Sequence, residues 1–281
     1  MGSGIAQVSA ASGFPTTIRE VSDELCARSR AAISRSFDKA IEKGKATTAD
    51  RDAALARITF TTSLADVAGA DIVIEAVVED LAVKAEMFRE LDKLCAAETI
   101  FASNTSSLTI AEIAAATSRP DRVVGMHFFN PVPAMKLVEV ARAIRTSEQT
   151  VERAMQFVRS LGKEPISAHD NSGFVVNLLL VPYMIDAIRA LESGVASVAD
   201  IDKGMMLGAG YPMGPFTLLD FVGLDTTYRI AEIMYDEYRE QRYAPPPLLK
   251  RMVIAGLYGR KSGMGFYDYS KNPPVPSDIG F

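Results

Sequence analysis

Strand-like and helix-like segments alternate over residues 1–168, and this alternation constrains the fold more than any other feature of the sequence. Residues 71–78 form a nearly continuous apolar run rich in β-branched side chains, which is typical of a strand buried on both faces. A second such run, residues 99–103, follows an amphipathic helix predicted over residues 83–96. Strands that alternate with helices predict an α/β fold with a doubly wound, Rossmann-like parallel sheet.

Beyond residue 168 the pattern changes to helices only, which we predict at residues 173–192, 198–207, 215–242 and 247–258. We therefore expect a Rossmann-like domain over residues 1–168 and an all-helical domain over residues 169–281. A helical domain of this size cannot easily close its own core, so we expect it to pair with a second copy in a homodimer. In the first domain, further strands are predicted at residues 16–21, 122–128, 136–141 and 165–168, and further helices at residues 5–11, 25–43, 108–117 and 151–161.

The composition excludes several classes of function. The net charge of −5, from 30 basic and 35 acidic residues, offers no basic face for nucleic acid. No segment reads as a membrane span, because Asn177, Pro182 and Asp186 interrupt the most apolar stretch. The two cysteines, Cys26 and Cys95, lie far apart without metal-binding or redox spacing, so we expect no metal and a reduced, cytoplasmic location.

The start of the chain resembles the end of a dinucleotide-binding turn. Such a turn reads Gly-x-Gly-x-x-Gly between a strand and a helix, and Gly2 stands where the third glycine would be. Glu20 ends a predicted strand at close to the usual separation between this turn and the acid that binds the adenosine ribose. The alternative is that Gly2 and Gly4 are merely flexible terminal residues. The spacing favours a fold that lacks its first strand and first two glycines, and such a chain is expected to bind the dinucleotide poorly.

Glu20 also bears on the choice of cofactor. A carboxylate at this position would accept hydrogen bonds from the ribose hydroxyls and repel a 2′-phosphate, which favours NAD over NADP. Arg19 keeps the alternative open, because a guanidinium beside the ribose can accommodate that phosphate.

His127 is the candidate base of an oxidoreductase. It ends a predicted strand in the Rossmann-like half, where the ligands of doubly wound sheets gather. Oxidation of an alcohol needs a base of near-neutral pKa, and a carboxylate should orient the other nitrogen of its ring. Glu139 interrupts the apolar segment 137–140, where a lone buried carboxylate would be costly, so His127 is its expected partner.

Each of these features also has a plain structural explanation. His127 could be a satisfied structural histidine, and Glu139 could face solvent or pair with Lys136 or a backbone donor. The serines of residues 103–107 could merely cap a helix. The combination and order of the segments, rather than any one of them, favour the catalytic interpretation.

Several short segments occur along the chain in a characteristic order: residues 103–107 (SNTSS), 127–131 (HFFNP), 137–140 (LVEV), 173–177 (GFVVN), 208–215 (GAGYPMGP), 223–225 (GLD) and 259–267 (GRKSGMGFY). In this order they resemble the L-3-hydroxyacyl-CoA dehydrogenases, including the short-chain 3-hydroxybutyryl-CoA enzymes. The resemblance covers nearly the whole chain except the absent first strand. It implies NAD-dependent oxidation of an L-3-hydroxyacyl-CoA to the 3-ketoacyl-CoA.

The resemblance also implies roles for individual residues. His127 matches the catalytic base and Glu139 its partner, while Ser106 and Asn177 match residues that stabilise the substrate oxygen. Glu20 matches the ribose acid, where aspartate is more usual. Further cofactor-side positions of the family are matched by Glu79, Lys84, Asn130 and Lys261.

The coenzyme A tail is expected along the helix predicted at residues 25–43, although this helix could equally be a solvated face. Its positive charge, with that of the loop after it, comes from Arg28, Arg30, Arg35, Lys39, Lys43 and Lys45. Two other functions remain open at this point. One is a related hydroxyacid dehydrogenase, acting for example on a sugar acid, and the other is an inactive relic left by the missing strand.

Overall fold

The computed structural model describes residues 1–280 of the chain and divides into two compact units, Met1–Asn171 and a second unit that begins at Ser172. The division lies three residues beyond the boundary expected at residue 168. The first unit contains, in chain order, α1 (Gly2–Ala11), β1 (Thr16–Arg19), α2 (Asp23–Glu42), α3 (Thr48–Ala56), β2 (Ile58–Thr61), β3 (Ile72–Glu75), α4 (Leu81–Leu94), β4 (Ile100–Ser103), α5 (Ile110–Ala114), β5 (Val123–Phe128), β6 (Leu137–Arg142), α6 (Glu148–Ser160) and β7 (Glu164–His169).

The strands of the first unit form two ladders. One is the parallel pair β1–β2, and the other has the strand order β3-β4-β5-β6-β7. The second ladder is parallel except between β5 and β6, which are antiparallel. This exception to the predicted parallel sheet has a simple cause: a short loop, and no crossover helix, joins the two strands.

The core of the first unit lies against the middle of the second ladder. All four residues of β4 and all six of β5 are buried, as expected for strands covered on both faces. The predicted strand at residues 71–78 is shorter than expected, because Val77 and Val78 lie beyond β3 with exposed fractions of 43% and 66%. Helix α3 and strand β2 were not predicted, since their polar sequence shows little of the apolar spacing that reveals buried elements.

The second unit is helical apart from one short ladder. It contains α7 (Val176–Glu192), α8 (Val198–Gly208), α9 (Pro215–Val222), α10 (Leu224–Tyr238) and α11 (Pro247–Ile254), followed by an antiparallel pair, β8 (Tyr267–Asp268) and β9 (Val275–Pro276). The all-helical prediction therefore missed these two strands. The apolar core of the second unit is formed by side chains of all five helices together with Phe266.

Glycines set two of the helix boundaries that differ from the prediction. The single helix expected over residues 215–242 is two helices, because Gly223 has a φ of 101° and interrupts the helical backbone. Helix α7 begins at Val176 rather than Gly173, since Gly173 and Phe174 have φ values of 84° and 46°. Within residues 1–280, no helix is both long enough and apolar enough to cross a membrane.

Gly125 tests whether the close packing of β5 supports the fold. A Cβ atom at this position would lie 2.8 Å from Cβ of Ala141 and 3.0 Å from Cδ1 of Ile110. We expect Gly125→Ala to lower the free energy of unfolding by about 1–3 kcal/mol, because the strands must move apart to admit the methyl group. Urea unfolding measures this. Gly69→Ala is the control, since no atom lies within 4 Å of its added Cβ, and equal stability of the two variants would contradict the account.

Candidate active site

His127 and Glu139 face each other across the antiparallel pair β5–β6. The register places them directly opposite, and Nδ1 of His127 lies 2.6 Å from Oε2 of Glu139. The carboxylate is fully buried, while the imidazole keeps 9% of its surface exposed. This burial excludes a solvent-facing Glu139, and the distance makes His127 its hydrogen-bond partner. Since Glu139 binds Nδ1, proton exchange between the imidazole and a ligand would use Nε2.

Strand pairing explains why this contact forms. Residues on facing antiparallel strands alternate between the two sides of the sheet, so opposite residues project to the same side. The loop between β5 and β6 is short, and this fixes the register that brings residue 127 opposite residue 139. The site geometry therefore rests on backbone pairing rather than on flexible side chains.

Residues 104–107, here called the serine loop, follow β4 and contain Ser106. Asn104 ties this loop to the end of β5, because its Oδ1 accepts a hydrogen bond of 2.9 Å from the backbone N–H of Phe128. The loop that contains Ser106 is therefore hydrogen-bonded to Phe128, the neighbour of His127 in the chain.

Glu79 holds the same loop from its other side. Its Oε1 accepts hydrogen bonds from the Thr105 hydroxyl at 2.5 Å, from the backbone N–H groups of Ser106 and Ser107 at 3.1 and 3.3 Å, and from the Ser107 hydroxyl at 3.1 Å. Burial raises the pKa of Glu79, but the Lys84 charge and the loop donors outweigh it and lower that pKa. Glu79 is therefore held as a carboxylate that shapes the serine loop.

Lys84 lies behind Glu79 and is almost completely buried, with 1% of its side chain exposed. Its Nζ is 2.6 Å from Oε1 of Glu75 and 3.2 Å from Oε2 of Glu79. The amine is enclosed between these two carboxylates, and Lys84 stays a prediction as a cofactor-side residue. Glu75 was not identified from the sequence.

The predicted cofactor positions Gly2 and Glu20 lie at connected places in the fold. Glu20 follows β1, and its Oε1 accepts a hydrogen bond of 2.8 Å from Ser29, whose hydroxyl accepts one of 3.1 Å from Ser3. Gly2 is the first residue of α1, and helix N-termini favour anionic groups because their first N–H groups have no acceptor within the helix.

A small cavity of about 150 Å³ opens beside the first turn of α1. It is lined by Met1, Ser3, Gly4, Gln7, Ala32, Ile33, Ser36, Asn130, Pro131, Val132 and Pro133. Gly4 permits close packing here, since a Cβ on it would lie 3.0 Å from Cβ of Val132. A helix N-terminus, a ribose-type carboxylate and an exposed Asn130 are a donor and acceptor set that suits a dinucleotide, so these residues fit NAD.

Two charged residues that sequence reasoning missed fix backbone segments of the first unit. Lys163 is 6% exposed and donates from Nζ to the carbonyl oxygens of Val132 and Met135, at 2.6 and 2.7 Å, so it fixes the loop that carries Asn130. Asp170 accepts hydrogen bonds from the backbone N–H groups of Ile110 and Ala111 at the start of α5. Neither has a local sequence signal, because each acts on residues 28 or more positions away.

Asn177 and Lys261 belong to the second unit. Asn177 is the second residue of α7 and is half-buried. Lys261 lies on the surface, where its Nζ is 2.6 Å from the carboxylate of Asp225. Within residues 1–280, no group of three or more His, Cys, Asp or Glu side chains is arranged to hold a metal ion.

Family comparisons match consecutive parts of the chain. Residues 1–171 match the family described as 3-hydroxyacyl-CoA dehydrogenase, NAD binding domain, and residues 173–269 match the C-terminal domain of the same family. A 3-hydroxybutyryl-CoA dehydrogenase of Mycobacterium tuberculosis is 51% identical over 271 residues, covering 96% of this chain and 95% of the relative. The mitochondrial hydroxyacyl-coenzyme A dehydrogenase of Homo sapiens is 48% identical over 276 residues, covering 96% and 88%.

Solved structures also match the chain over nearly its whole length. The crystal structure of M. tuberculosis FadB2 matches with a TM-score of 0.94 at 50% identity, covering 96% of this chain and 95% of that one. The (S)-3-hydroxybutyryl-CoA dehydrogenase PaaH1 of Ralstonia eutropha matches with a TM-score of 0.92 at 44% identity, covering 96% of both chains.

Glu79→Gln tests the electrostatic support of the serine loop. The folded pKa of Glu79 lies below its ordinary value of 4.5, so its contribution to stability is present above pH 4.5 and is lost as the pH falls below it. We expect the variant to be less stable than the wild type by about 1–3 kcal/mol near pH 7, and the gap to shrink near pH 4. Urea unfolding at both pH values checks this, and an equal gap at both would contradict it.

Proposed function

The chain belongs to the 3-hydroxyacyl-CoA dehydrogenase family, and from this premise we propose that it oxidises short-chain L-3-hydroxyacyl-CoA thioesters to 3-ketoacyl-CoA thioesters with NAD. The single observation that carries the proposal is the 2.6 Å contact between His127 and Glu139 in the NAD-binding unit. A histidine oriented by a fully buried carboxylate is suited to take a proton from an alcohol.

In this reaction His127 acts as the base. Nε2 takes the proton of the C3 hydroxyl while Glu139 holds the proton on Nδ1 and stabilises the imidazolium that forms. When bound, NAD supplies the acceptor for the hydride that leaves C3. Because Glu139 is buried, its charge acts on the imidazole with little screening by water.

Ser106 and Asn177 are proposed to bind the substrate oxygen. Both are short polar side chains that can donate a hydrogen bond to an oxygen on which charge changes during the reaction. The contacts of Glu79 and Asn104 with the loop of Ser106 support its half of this proposal, because they fix the loop backbone. The family match carries the proposal for Asn177.

The cofactor positions are proposed on the same basis. Gly2 lets the N-terminus of α1 approach the pyrophosphate, and Glu20 accepts from the ribose hydroxyls. Asn130 and Lys261 are exposed, and the family match supports their assignment as donors to the cofactor. Glu79 and Lys84 are also proposed as cofactor-side residues, and the 3.2 Å ion pair between them supports their placement together.

The charged face of α2 is proposed to hold the coenzyme A tail. Its basic residues and those of the following loop are exposed: Arg28, Arg30, Arg35, Lys39, Lys43 and Lys45. Exposed cations are the side chains that bind phosphate groups such as those of coenzyme A.

We also propose a homodimer formed through the second unit, in the cytoplasm. Support for the dimer comes from large apolar side chains on that unit, where Leu207, Ile254 and Phe221 are 76%, 75% and 45% exposed. Support for a reducing compartment comes from two cysteines, Cys26 and Cys95, that are both buried and unpaired.

His127→Gln tests the proposed base. We expect reduction of acetoacetyl-CoA by NADH to slow by about 10²-fold or more, since general bases contribute about this much. His169→Gln is the matched control, because His169 is the other histidine and lies exposed at the end of β7. Unchanged turnover in His127→Gln would remove this residue from the mechanism. Wild-type turnover of free acetoacetate in preference to the thioester would favour a hydroxyacid dehydrogenase instead.

A further inference from the structure

Glu75, Lys84 and Glu79 form a carboxylate–ammonium–carboxylate cluster next to the serine loop. Glu75 is its most buried member and takes no part in the proton and hydride transfer. We infer that Glu75 is a positioning residue, which acts through Lys84 and Glu79 to set the backbone of Ser106. The inference rests on the proposed function, because it assigns Glu75 to the same site.

Glu75 joins three elements of the first unit. It is the last residue of β3, and its side chain is completely buried. Its Oε1 accepts from Nζ of Lys84 on α4 at 2.6 Å and from the backbone N–H of Val77 at 2.7 Å. Its Oε2 accepts from the hydroxyl of Ser103, the last residue of β4, at 2.6 Å. Glu75 therefore links β3 and α4 to the strand from which the serine loop starts.

The two carboxylates share Lys84 unequally. Nζ is 2.6 Å from Glu75 but 3.2 Å from Glu79. Glu79 uses only Oε2 for this contact, and its Oε1 accepts from the donors of residues 105–107. Because the ammonium lies closer to Glu75, it competes less strongly for Glu79, and one carboxylate oxygen of Glu79 stays available to accept from the serine loop.

Stability alone does not explain such a cluster. Buried ion clusters can often be replaced by apolar residues without loss of stability, because desolvation of the charges offsets their attraction. What an apolar replacement cannot supply is a carboxylate that accepts from Thr105, Ser106 and Ser107 together. The geometry of that carboxylate is what Glu75 and Lys84 determine.

A second ion pair on α4 provides a control. Asp92 lies further along the same helix and accepts hydrogen bonds from Arg119 at 2.6 Å and from the backbone N–H of Ser118 at 2.8 Å, neither of which belongs to the serine loop. Removal of its charge by Asp92→Asn should lower stability without changing turnover. A comparison of Asp92→Asn with Glu75→Gln therefore distinguishes the loss of an ion pair from the loss of the loop geometry.

The first test is Glu75→Gln, which keeps the size of the side chain but removes its charge. Lys84 then pairs with Glu79 alone and draws it from the loop. We expect kcat for acetoacetyl-CoA to fall about tenfold or more, since small misplacements near the reacting atoms have effects of this size. The KM for acetoacetyl-CoA should change less than about twofold, because ground-state binding is retained.

The second test is Glu75→Gln combined with Lys84→Met, which removes one charge of each sign. We expect this double variant to unfold at a higher temperature than Lys84→Met alone and to regain part of the lost kcat, because no ammonium remains to draw Glu79 from the loop. A folded double variant no faster than Glu75→Gln, or a kcat loss in Glu75→Gln no larger than that in Asp92→Asn, would overturn the inference. If Glu75→Gln folds and the double variant does not, the kcat of Glu75→Gln compared with that of Asp92→Asn tests the inference. Absence of turnover in the wild type would instead count against the proposed function.

Discussion

The hydrogen bond between His127 and Glu139 is the contact on which the rest of the site depends. It joins opposite residues of an antiparallel strand pair, so the same backbone register that builds the sheet also orients the imidazole. A shift of one residue would send one of the two side chains to the other face of the sheet. The strand register therefore determines the orientation of the imidazole, and full burial of Glu139 strengthens the hydrogen bond that holds it.

Other charged side chains of the first unit also have defined partners. Lys163 binds two carbonyl oxygens, Asp170 caps the start of α5, and Lys84 lies between Glu75 and Glu79. Lys163 and Glu79 act on loops that follow strands, and Asp170 acts on the start of α5. Glu75 joins the ends of β3 and β4. A site whose loops are fixed in advance loses little free energy to reorganisation during a reaction.

Much of this arrangement could be predicted from the sequence. The buried strands β4 and β5 are recognisable as continuous apolar runs, and Glu139 is conspicuous because it interrupts such a run. The Rossmann-like architecture followed from the alternation of strands and helices, the use of NAD from the position of Glu20, and the family from short segments in a fixed order. The comparisons confirm all three. These features are local, which is why sequence reasoning reaches them.

What the sequence did not reveal depends on contacts between distant segments. Glu75 reads as one more strand residue until Lys84 and Ser103 are placed around it. Gly223 looks like an ordinary glycine within a helical pattern, and only its positive φ divides α9 from α10.

The rate of hydride transfer in Glu139→Gln tests the central claim most directly. Glutamine keeps the size of the side chain and an acceptor oxygen, but it lacks the charge that stabilises an imidazolium. Single-turnover measurement with saturating acetoacetyl-CoA and NADH isolates that step from product release. The account predicts a folded variant in which hydride transfer is slower by about 10²-fold or more, as found when a buried carboxylate partner of a catalytic histidine is neutralised. An unchanged rate would contradict it, because the carboxylate would then be a structural residue only.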